Sequence, residues 1–260
     1  METVQEPDGV YQGQLQNNKK SGFGMMTWQE GSWYLGAWNE DNMSGWGILN
    51  MRQGGEFSGC FRDNKLHGYG KCDFPNGDRY IGMWKCGNTH GYGVFYFAHS
   101  KTWELGVWEN GHKVKGIKSG TGKPSQLELN KSGKDEENVM LEMAEGSKYA
   151  GGVLQGMREG NGVLYLRNGG RVEGTWVKNY PDGICIFHYP DGKYHIGEYK
   201  KGILHGLGRV NFANGDYYFG ELFDGKMHGK GKFYSASEGT LLEGEFKENE
   251  LVNSKALYNN

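Results

Sequence analysis

The sequence predicts an all-β fold: an elongated, single-layer antiparallel meander of about ten to eleven β-hairpin repeats of 23 residues. Three observations predict it: a glycine that recurs every 23 residues, a Gly-x-Gly pair nine residues later, and a turn glycine eighteen residues later. A fixed period of this length is typical of stacked repeats, which present a long binding surface. The recurring glycine, called the marker glycine below, is one residue late at Gly106 and at Gly244. It stands at Gly13, Gly36, Gly59, Gly82, Gly106, Gly151, Gly174, Gly197, Gly220 and Gly244.

Two strands and two turns fill each period. The first strand carries an aromatic or apolar residue two before the marker glycine and another two after it, as in Tyr80–Trp84 (YIGMW). The Gly-x-Gly pair opens the second strand, in which apolar and polar residues alternate, so we expect one apolar and one wet face. The turn dipeptide Asn76-Gly77 predicts a tight turn with positive φ at both residues.

Composition excludes several classes of protein. The chain has 260 residues, and Lys+Arg 29 against Asp+Glu 31 gives a net charge of -2, so no overall field attracts nucleic acid. No apolar run reaches the ~20 residues of a membrane helix, and the N-terminus lacks a secretory signal. Cys60, Cys72, Cys86 and Cys185 lack CxxC spacing and are expected to be reduced, structural thiols in the cytoplasm.

Several units resemble the MORN repeat (membrane occupation and recognition nexus). Its pattern is close to Y-x-G-x-W, a spacer, H-G-x-G, a second spacer and D/N-G. The Tyr80–Trp84 segment followed by His90–Gly93 matches this pattern, as do His67–Gly70 and His205–Gly208 with their turn glycines. The resemblance covers about residues 11–250. It implies the fold, whereas a fold alone assigns no function.

The repeats divide the chain into five segments: an N-terminal tail (1–10), five repeats (11–112), a degenerate repeat or linker (113–148), five further repeats (149–250) and a C-terminal tail (251–260). The 45 residues from Gly106 to Gly151 fall one short of two periods. This spacing favours a degenerate central hairpin, with Val139, Leu141 and Met143 in a second strand, and one continuous sheet. Two alternatives stay open: a linker between two arrays, and a short helix over 136–144.

The aromatic rows are the strongest candidate for a site. A single-layer sheet cannot bury its apolar face by itself, and exposed apolar grooves mark interaction surfaces in which Trp and Tyr dominate. Packing of the rings on one another is the alternative interpretation. The predicted protein-binding groove comprises Tyr11, Tyr34, Trp38, Tyr80, Trp84, Trp108, Trp176, Tyr199 and Tyr218.

A lysine group is a second candidate. Lys113, Lys115, Lys118 and Lys123 could contact an acidic lipid, although no anchor or lipidation motif accompanies them.

The sequence predicts no catalytic residue, no cofactor and no metal site, and hence a protein that is not an enzyme. Histidines one period apart lie about 10 Å apart in a meander, too far to share a metal ion. We expect them to form turn-stabilising hydrogen bonds instead. The histidines that precede Gly-x-Gly pairs are His67, His90, His205 and His228.

Three functions are consistent with these features. The first is a scaffold that holds other protein subunits of a large assembly. Resemblance to stand-alone MORN proteins, among them radial-spoke head components, implies a cytoskeletal location, most of all the axoneme of a cilium or flagellum. The second is a membrane-contact or phosphoinositide-binding module, and the third is a regulatory subunit acting on an enzyme in trans. Unpaired terminal strands also allow a homodimer.

Overall fold

The computed structural model describes residues 2–122, 139–143 and 145–259, and the regular structure of these residues is entirely β-strand. Eleven strands form a first sheet, in chain order. They are β1 (Glu2–Glu6), β2 (Gly9–Gln16), β3 (Lys19–Trp28), β4 (Trp33–Asn39), β5 (Asn42–Asn50), β6 (Glu56–Arg62), β7 (Lys65–Asp73), β8 (Arg79–Lys85), β9 (Asn88–Phe97), β10 (Thr102–Glu109) and β11 (His112–Thr121).

Eleven further strands form a second sheet, again in chain order. They are β12 (Val139–Glu142), β13 (Lys148–Leu154), β14 (Met157–Tyr165), β15 (Arg171–Val177), β16 (Tyr180–His188), β17 (Tyr194–Lys200), β18 (Ile203–Asn211), β19 (Tyr217–Phe223), β20 (Lys226–Ser235), β21 (Thr240–Lys247) and β22 (Glu250–Asn259). Every strand pairs antiparallel with the next in its sheet, which confirms the predicted all-β meander. Within the described ranges, no helix could cross a membrane.

The marker glycines form a row across each sheet. Gly36 in β4 lies opposite Gly24 on one side and Gly47 on the other. The same register relates Gly82 to Gly70 and Gly93. The spacing between the marker glycine and the Gly-x-Gly pair therefore sets the strand register. In this register the glycines of neighbouring strands lie opposite one another.

The turn types differ from the expectation. The turn after each first strand is the one with consecutive positive φ values, as at Asn17 (53°) and Asn18 (61°). At the Asn76-Gly77 turn, only Gly77 has a positive φ, of 85°. Pro75 fixes its own φ near −65° and starts a longer loop, which the Gly77 amide closes on the Phe74 carbonyl at 2.9 Å.

The structure contains two sheets where one continuous sheet was expected. The strands β11 and β12 are the edges of different sheets, and residues 123–138 between them lie outside the described residues. The β12 strand pairs Val139 with Gly151 and Leu141 with Tyr149, so Val139–Glu142 is a strand and is not helical, whereas Met143 follows the strand. Both expected tails contribute strands, β1 at one end and β22 at the other.

The two sheets pack against each other, face to face. The contacting pairs include β3 with β18, β5 with β16, and β7 with β14, so the strand order of one sheet runs opposite to that of the other. We call this side of each sheet the contact face and the other side the ring face. The buried contact-face residues are Phe23, Leu35, Trp46 and Ile48 of the first sheet and Val163, Tyr165, Ile186, Ile196, Leu207 and Phe219 of the second.

The contact face is the side that the strand alternation predicts to be wet. Polar residues such as Thr27 and Asn50 do occur on this side. The residues next to the glycine row, however, are apolar in the central units, as at Leu35, Ile48 and Ile186. Burying that apolar strip drives one sheet onto the other.

Candidate functional site

The nine rings predicted to line a groove are buried. None is more than 7% exposed, and they lie on the ring faces of the two sheets. The expectation that these side chains form an exposed groove is therefore corrected, while partner binding by the ring faces stays a prediction. The nine residues are Tyr11, Tyr34, Trp38, Tyr80, Trp84, Trp108, Trp176, Tyr199 and Tyr218.

The glycine row explains why the tyrosines are buried in a face that no second layer covers. The Tyr80 ring lies flat over the glycine row, where a Cβ on Gly93 would come within 2.7 Å of its Cε2 atom. The Tyr80 hydroxyl donates a hydrogen bond to the Met83 carbonyl at 3.1 Å. Tyr11, Tyr34, Tyr149 and Tyr218 make the equivalent hydrogen bond to the residue three positions later.

The tryptophans fix one unit to the preceding one. Trp84 Nε1 donates a hydrogen bond to the Gly70 carbonyl at 3.0 Å, and its ring meets Tyr80 edge-on with centroids 5.1 Å apart. Trp38, Trp108 and Trp176 repeat the hydrogen bond to the glycine row. The Y-x-G-x-W pattern is thus a packing device: it closes the apolar face by means of its own rings.

One unit departs from this device. His195 stands two before Gly197, the position that tyrosine occupies in most other units. Its ring nitrogens contact the hydroxyls of Tyr189, at 2.9 Å, and Tyr199, at 2.5 Å. Burial lowers the pKa of His195 to about 4, assisted by the charge of Lys193, so the ring is neutral near pH 7.

A second buried polar cluster lies between the sheets. The Glu173 carboxylate accepts hydrogen bonds from Arg171 at 2.5 Å and from Ser58 of the other sheet at 3.4 Å. Burial raises the pKa of Glu173, but Arg171 and His188 outweigh burial and hold this pKa below its ordinary value. Burial lowers the pKa of His188 to about 4, although Glu173 opposes that shift.

The second sheet carries an apolar rim along the turns that join first to second strands. Five large apolar side chains there are 40–60% exposed, an exposure that is unusual for a set of neighbours. We call this set the apolar rim. Its members are Leu154, Val177, Tyr180, Ile203 and Phe223.

The rim is continuous from hairpin to hairpin. Tyr180 lies beside the next turn, with its Cδ1 atom 3.5 Å from the Cβ position of Gly202. The Phe223 ring centroid lies 5.2 Å from that of His205 and 5.7 Å from that of His228. Neighbouring hairpins are about 10 Å apart in a sheet, so the rim extends over roughly 30 Å.

The first sheet has no such rim. Residues three after its marker glycines are Gln16, Asn39, Arg62, Lys85 and Glu109, whereas Leu154, Val177 and Phe223 occupy that offset in the second sheet. The offset six after the marker is likewise polar in the first sheet but holds Tyr180 and Ile203 in the second. The two sheets share one fold and differ in this edge, which indicates a role beyond folding.

Sequence reasoning missed the apolar rim, although its signal is present. Comparing the ten units at the offsets three and six after the marker glycine separates the two halves of the chain. The large aromatic residues lie on the ring face, and their pattern therefore places the predicted binding surface there. The contact face was missed for a similar reason, because its apolar residues alternate with the glycines.

Three of the four predicted lipid-contact lysines, Lys113, Lys115 and Lys118, lie in the edge strand β11, whose side chains are almost all exposed. Lys113 forms an ion pair with Glu104, and Lys118 lies over the Trp103 ring at 5.7 Å. Lys115 is exposed, and Lys123 falls outside the described residues. Lys113, Lys115 and Lys118 are therefore close in one strand, though two of them already have partners.

The residues that could hold a metal are dispersed. Over the described residues, no group of three or more His, Cys, Asp or Glu side chains converges on one point. The Nδ1 atoms of His90 and His228 are buried without a hydrogen-bond partner, so the expected turn-stabilising bond is absent from these atoms. The four cysteines are free thiols, and burial raises the pKa of Cys60 to about 11.

Comparison with known proteins gives the following similarities. A search of curated proteins finds no match. Among solved structures, the SAS-4 TCP domain of Drosophila melanogaster is 11% identical with a TM-score of 0.25, over 78% of this chain and 85% of that one. The TCP10 domain of Danio rerio CPAP, in complex with a STIL peptide, is 12% identical with a TM-score of 0.25, over 87% and 98%. These scores are too low to support an argument.

The family model for the MORN repeat matches seven segments, which together cover more than half of the chain. The matched residues are 11–33, 57–79, 80–98, 149–171, 173–194, 195–217 and 218–240. Four of the seven segments begin at a tyrosine that packs over a glycine, namely Tyr11, Tyr80, Tyr149 and Tyr218. The chain therefore belongs to the MORN-repeat family.

Proposed function

We propose that this protein is a non-catalytic scaffold that binds a partner protein along the apolar rim of its second sheet. The observation that carries the proposal is the exposure of five neighbouring large apolar side chains where the first sheet has polar ones. Soluble proteins rarely leave such a strip uncovered, and aromatic residues of this kind dominate protein interfaces.

The charges beside the apolar rim define the partner. Three exposed lysines of the same turns, Lys178, Lys200 and Lys201, stand against one exposed carboxylate, Asp224, and form no ion pair with any residue that the structure describes. A segment with apolar side chains spaced to meet successive hairpins and with acidic residues between them complements this edge. The partner is therefore an acidic, amphipathic segment of another protein.

Peptide selection tests this proposal while the partner is still unidentified. A random peptide library is selected on the intact protein and counter-selected on a variant with Tyr180→Ser and Phe223→Ser. Peptides that bind the rim should be apolar and acidic. Their affinity should fall at least about tenfold on the rim variant, as expected for aromatic interface residues.

The matched control for the rim variant is Tyr92→Ser with Val114→Ser. Both control residues are exposed apolar side chains of the first sheet. Binding should be unchanged in this control. Peptides that bind the rim variant and the control variant equally well would refute the rim as the binding surface.

Within this function, we propose that the protein belongs to a cytoskeletal assembly. The assembly that we favour is the ciliary axoneme, in a radial-spoke-like complex. The support is the resemblance of the repeats to stand-alone MORN proteins of such structures. Imaging of the tagged protein in ciliated cells tests the location. A signal confined to other compartments would reject it.

Contact with an acidic membrane is a second candidate function. It is favoured by β11, where Lys115 is exposed beside Val114 and Ile117, which are exposed large apolar residues. Cosedimentation with phosphatidylserine vesicles should then be lost on Lys113→Ala with Lys115→Ala and should weaken steeply with salt. Salt-independent binding, or none, would reject this function.

A further inference from the structure

We infer that the cleft between the two sheets beside β3 and β18 binds a compact oxyanion, a phosphate or carboxylate group, on Arg209 and Lys232. The cavity has a volume of about 220 Å³. Met25 and Thr27 of the first sheet line one side, and Arg209, Tyr217 and Lys232 of the second sheet line the other. This site is separate from the apolar rim and from the ring faces.

Arg209 is a largely buried cation that has no counter-ion among the described residues. Its Nε donates to the Asn211 side-chain oxygen at 3.0 Å, and its Nη1 contacts the Met25 sulfur at 3.6 Å. The guanidinium lies 4.0 Å from the Tyr217 ring centroid. No carboxylate in the described part of the chain forms an ion pair with it, and its Nη2 donates no hydrogen bond there.

Burial destabilises the charged form of Arg209. Burial lowers the pKa of Arg209, and the nearby Tyr194 and Tyr217 only partly oppose that shift. A buried charge without a partner is costly, so an opposite charge bound beside it would offset that cost. The stacking on Tyr217 fixes the plane of the guanidinium and leaves Nη2 as a donor.

A second cation accompanies Arg209, since Lys232 also lines the cavity. The Asn211 side-chain oxygen accepts the hydrogen bond of the Arg209 Nε and holds the guanidinium in place. Lys232 lies opposite Glu243 in the β20–β21 ladder, yet among the described residues it forms no ion pair. Two cationic side chains thus line a cleft whose described lining residues include no carboxylate.

The donor set and the cavity size define the ligand. A guanidinium fork beside an ammonium group suits the oxygens of phosphate or carboxylate. Cavities for drug-sized ligands have volumes of roughly 300–1,000 Å³, so this smaller one suits an anion with little attached. Tyr217, Phe219 and Met25 provide an apolar wall for that attached group.

An anion in this cleft would connect the sheets. Arg209 and Lys232 come from the second sheet, whereas Met25 and Thr27 come from the first. A ligand that binds only the packed form stabilises that form by mass action. The inference therefore predicts a saturable rise of the melting temperature with anion concentration.

The test uses the full chain in a buffer free of phosphate and carboxylate. Sodium phosphate and sodium malonate are titrated by calorimetry and by thermal melting, with sodium chloride at equal ionic strength as the reference. We expect saturable binding of at least one oxyanion to the intact protein. Lys232→Gln should weaken it about tenfold, as loss of a charged hydrogen bond does, and Arg209→Lys should weaken it further.

Lys247→Gln is the matched control, since Lys247 is an exposed lysine of the same sheet outside the cleft. It should bind the oxyanions as the intact protein does. A melting shift no larger than that of chloride would overturn the inference, as would an equal affinity in Lys232→Gln. In either case, Arg209 would be only a packing contact between the sheets.

The source of the phosphate group is distinguished by vesicles that contain phosphatidylinositol phosphate. Cosedimentation that requires Lys232 and is displaced by free phosphate would identify a lipid headgroup. Phosphate or malonate binding without cosedimentation would identify a soluble anion. Both outcomes support the site, and neither depends on the apolar rim.

Discussion

Tyr80 lies directly over Gly93, and the two residues define how this protein buries an apolar face without a covering layer. The ring occupies the space that a side chain on Gly93 would need, and its hydroxyl closes a hydrogen bond to the Met83 carbonyl at 3.1 Å. The same relationship recurs between Tyr34 and Gly47 and between Tyr149 and Gly162. In these units the packing of a tyrosine ring on a glycine is therefore as constant a feature as the hairpin.

Gly93→Ala should lower the free energy of unfolding by about 2 kcal/mol, because the added methyl group collides with a ring that cannot move away. Chemical denaturation measures the change. Gly116→Ala is the control, since a Cβ on Gly116 meets nothing within 4 Å. Equal effects of the two substitutions would contradict the tyrosine-over-glycine packing.

Gly77→Val should destabilise the protein by about 1–2 kcal/mol, because Gly77 has a φ of 85° that a β-branched residue resists. A Cβ at this position would also stand 3.1 Å from the Ala98 Cβ. Thermal melting of Gly77→Val beside Gly77→Asn measures the effect. Asn tolerates positive φ and should cost less; an unchanged melting temperature for the valine variant would argue against the turn.

Acidification should destabilise the fold between about pH 6.5 and pH 4. Burial lowers the folded-state pKa of His188 and of His195 to about 4, from an ordinary value of 6.5. Between these values the unfolded chain binds more protons, so stability falls as pH falls and is not regained below the window. Denaturant titration over pH 4–7 should show this slope.

His195→Gln should flatten that pH dependence, because it removes one of the two neutral histidines. The exposed His99 is the control position, and His99→Gln should leave the slope as it is in the intact protein. A slope that persists in the double variant of His188 and His195 would show that other groups cause the acid sensitivity.

The hydroxyls of Tyr69 and Tyr165 meet across the two sheets at 2.6 Å. A double-mutant cycle with Tyr69→Phe and Tyr165→Phe should therefore give a coupling energy of about 1 kcal/mol. Tyr92→Phe, in the first sheet, should show no coupling to Tyr165→Phe. A coupling near zero between Tyr69 and Tyr165 would contradict the packing of the sheets.

The sequence predicts the repeating unit well, since Gly36, Gly47 and their equivalents mark a register that the hydrogen-bonded ladder obeys. The sequence does not predict that the contact faces of the two sheets pack against each other. Leu35 and Ile48 stand out as apolar residues on a face predicted to be exposed to water. The structure explains them, because the second sheet covers them. Tyr34 and Trp38 read as a groove because their burial depends on contacts with glycines in neighbouring strands.

The proposed oxyanion-binding cleft beside β3 and β18 could not be predicted from the sequence. Arg209 and Met25 are far apart in the chain and meet because the sheets pack with opposite strand order. The apolar rim is different: Tyr180 and Phe223 stand at fixed offsets from their marker glycines. A comparison of units position by position would have located it.

The most direct test of the scaffold account is photo-cross-linking in native cells from two tyrosine positions, 180 on the apolar rim and 92 on the first sheet. The account predicts a discrete cross-linked product with an acidic partner protein from position 180. The product should disappear with Phe223→Ser, and position 92 should give none. Equal products from both positions, or a product from 180 that Phe223→Ser leaves intact, would contradict the apolar rim as the binding surface.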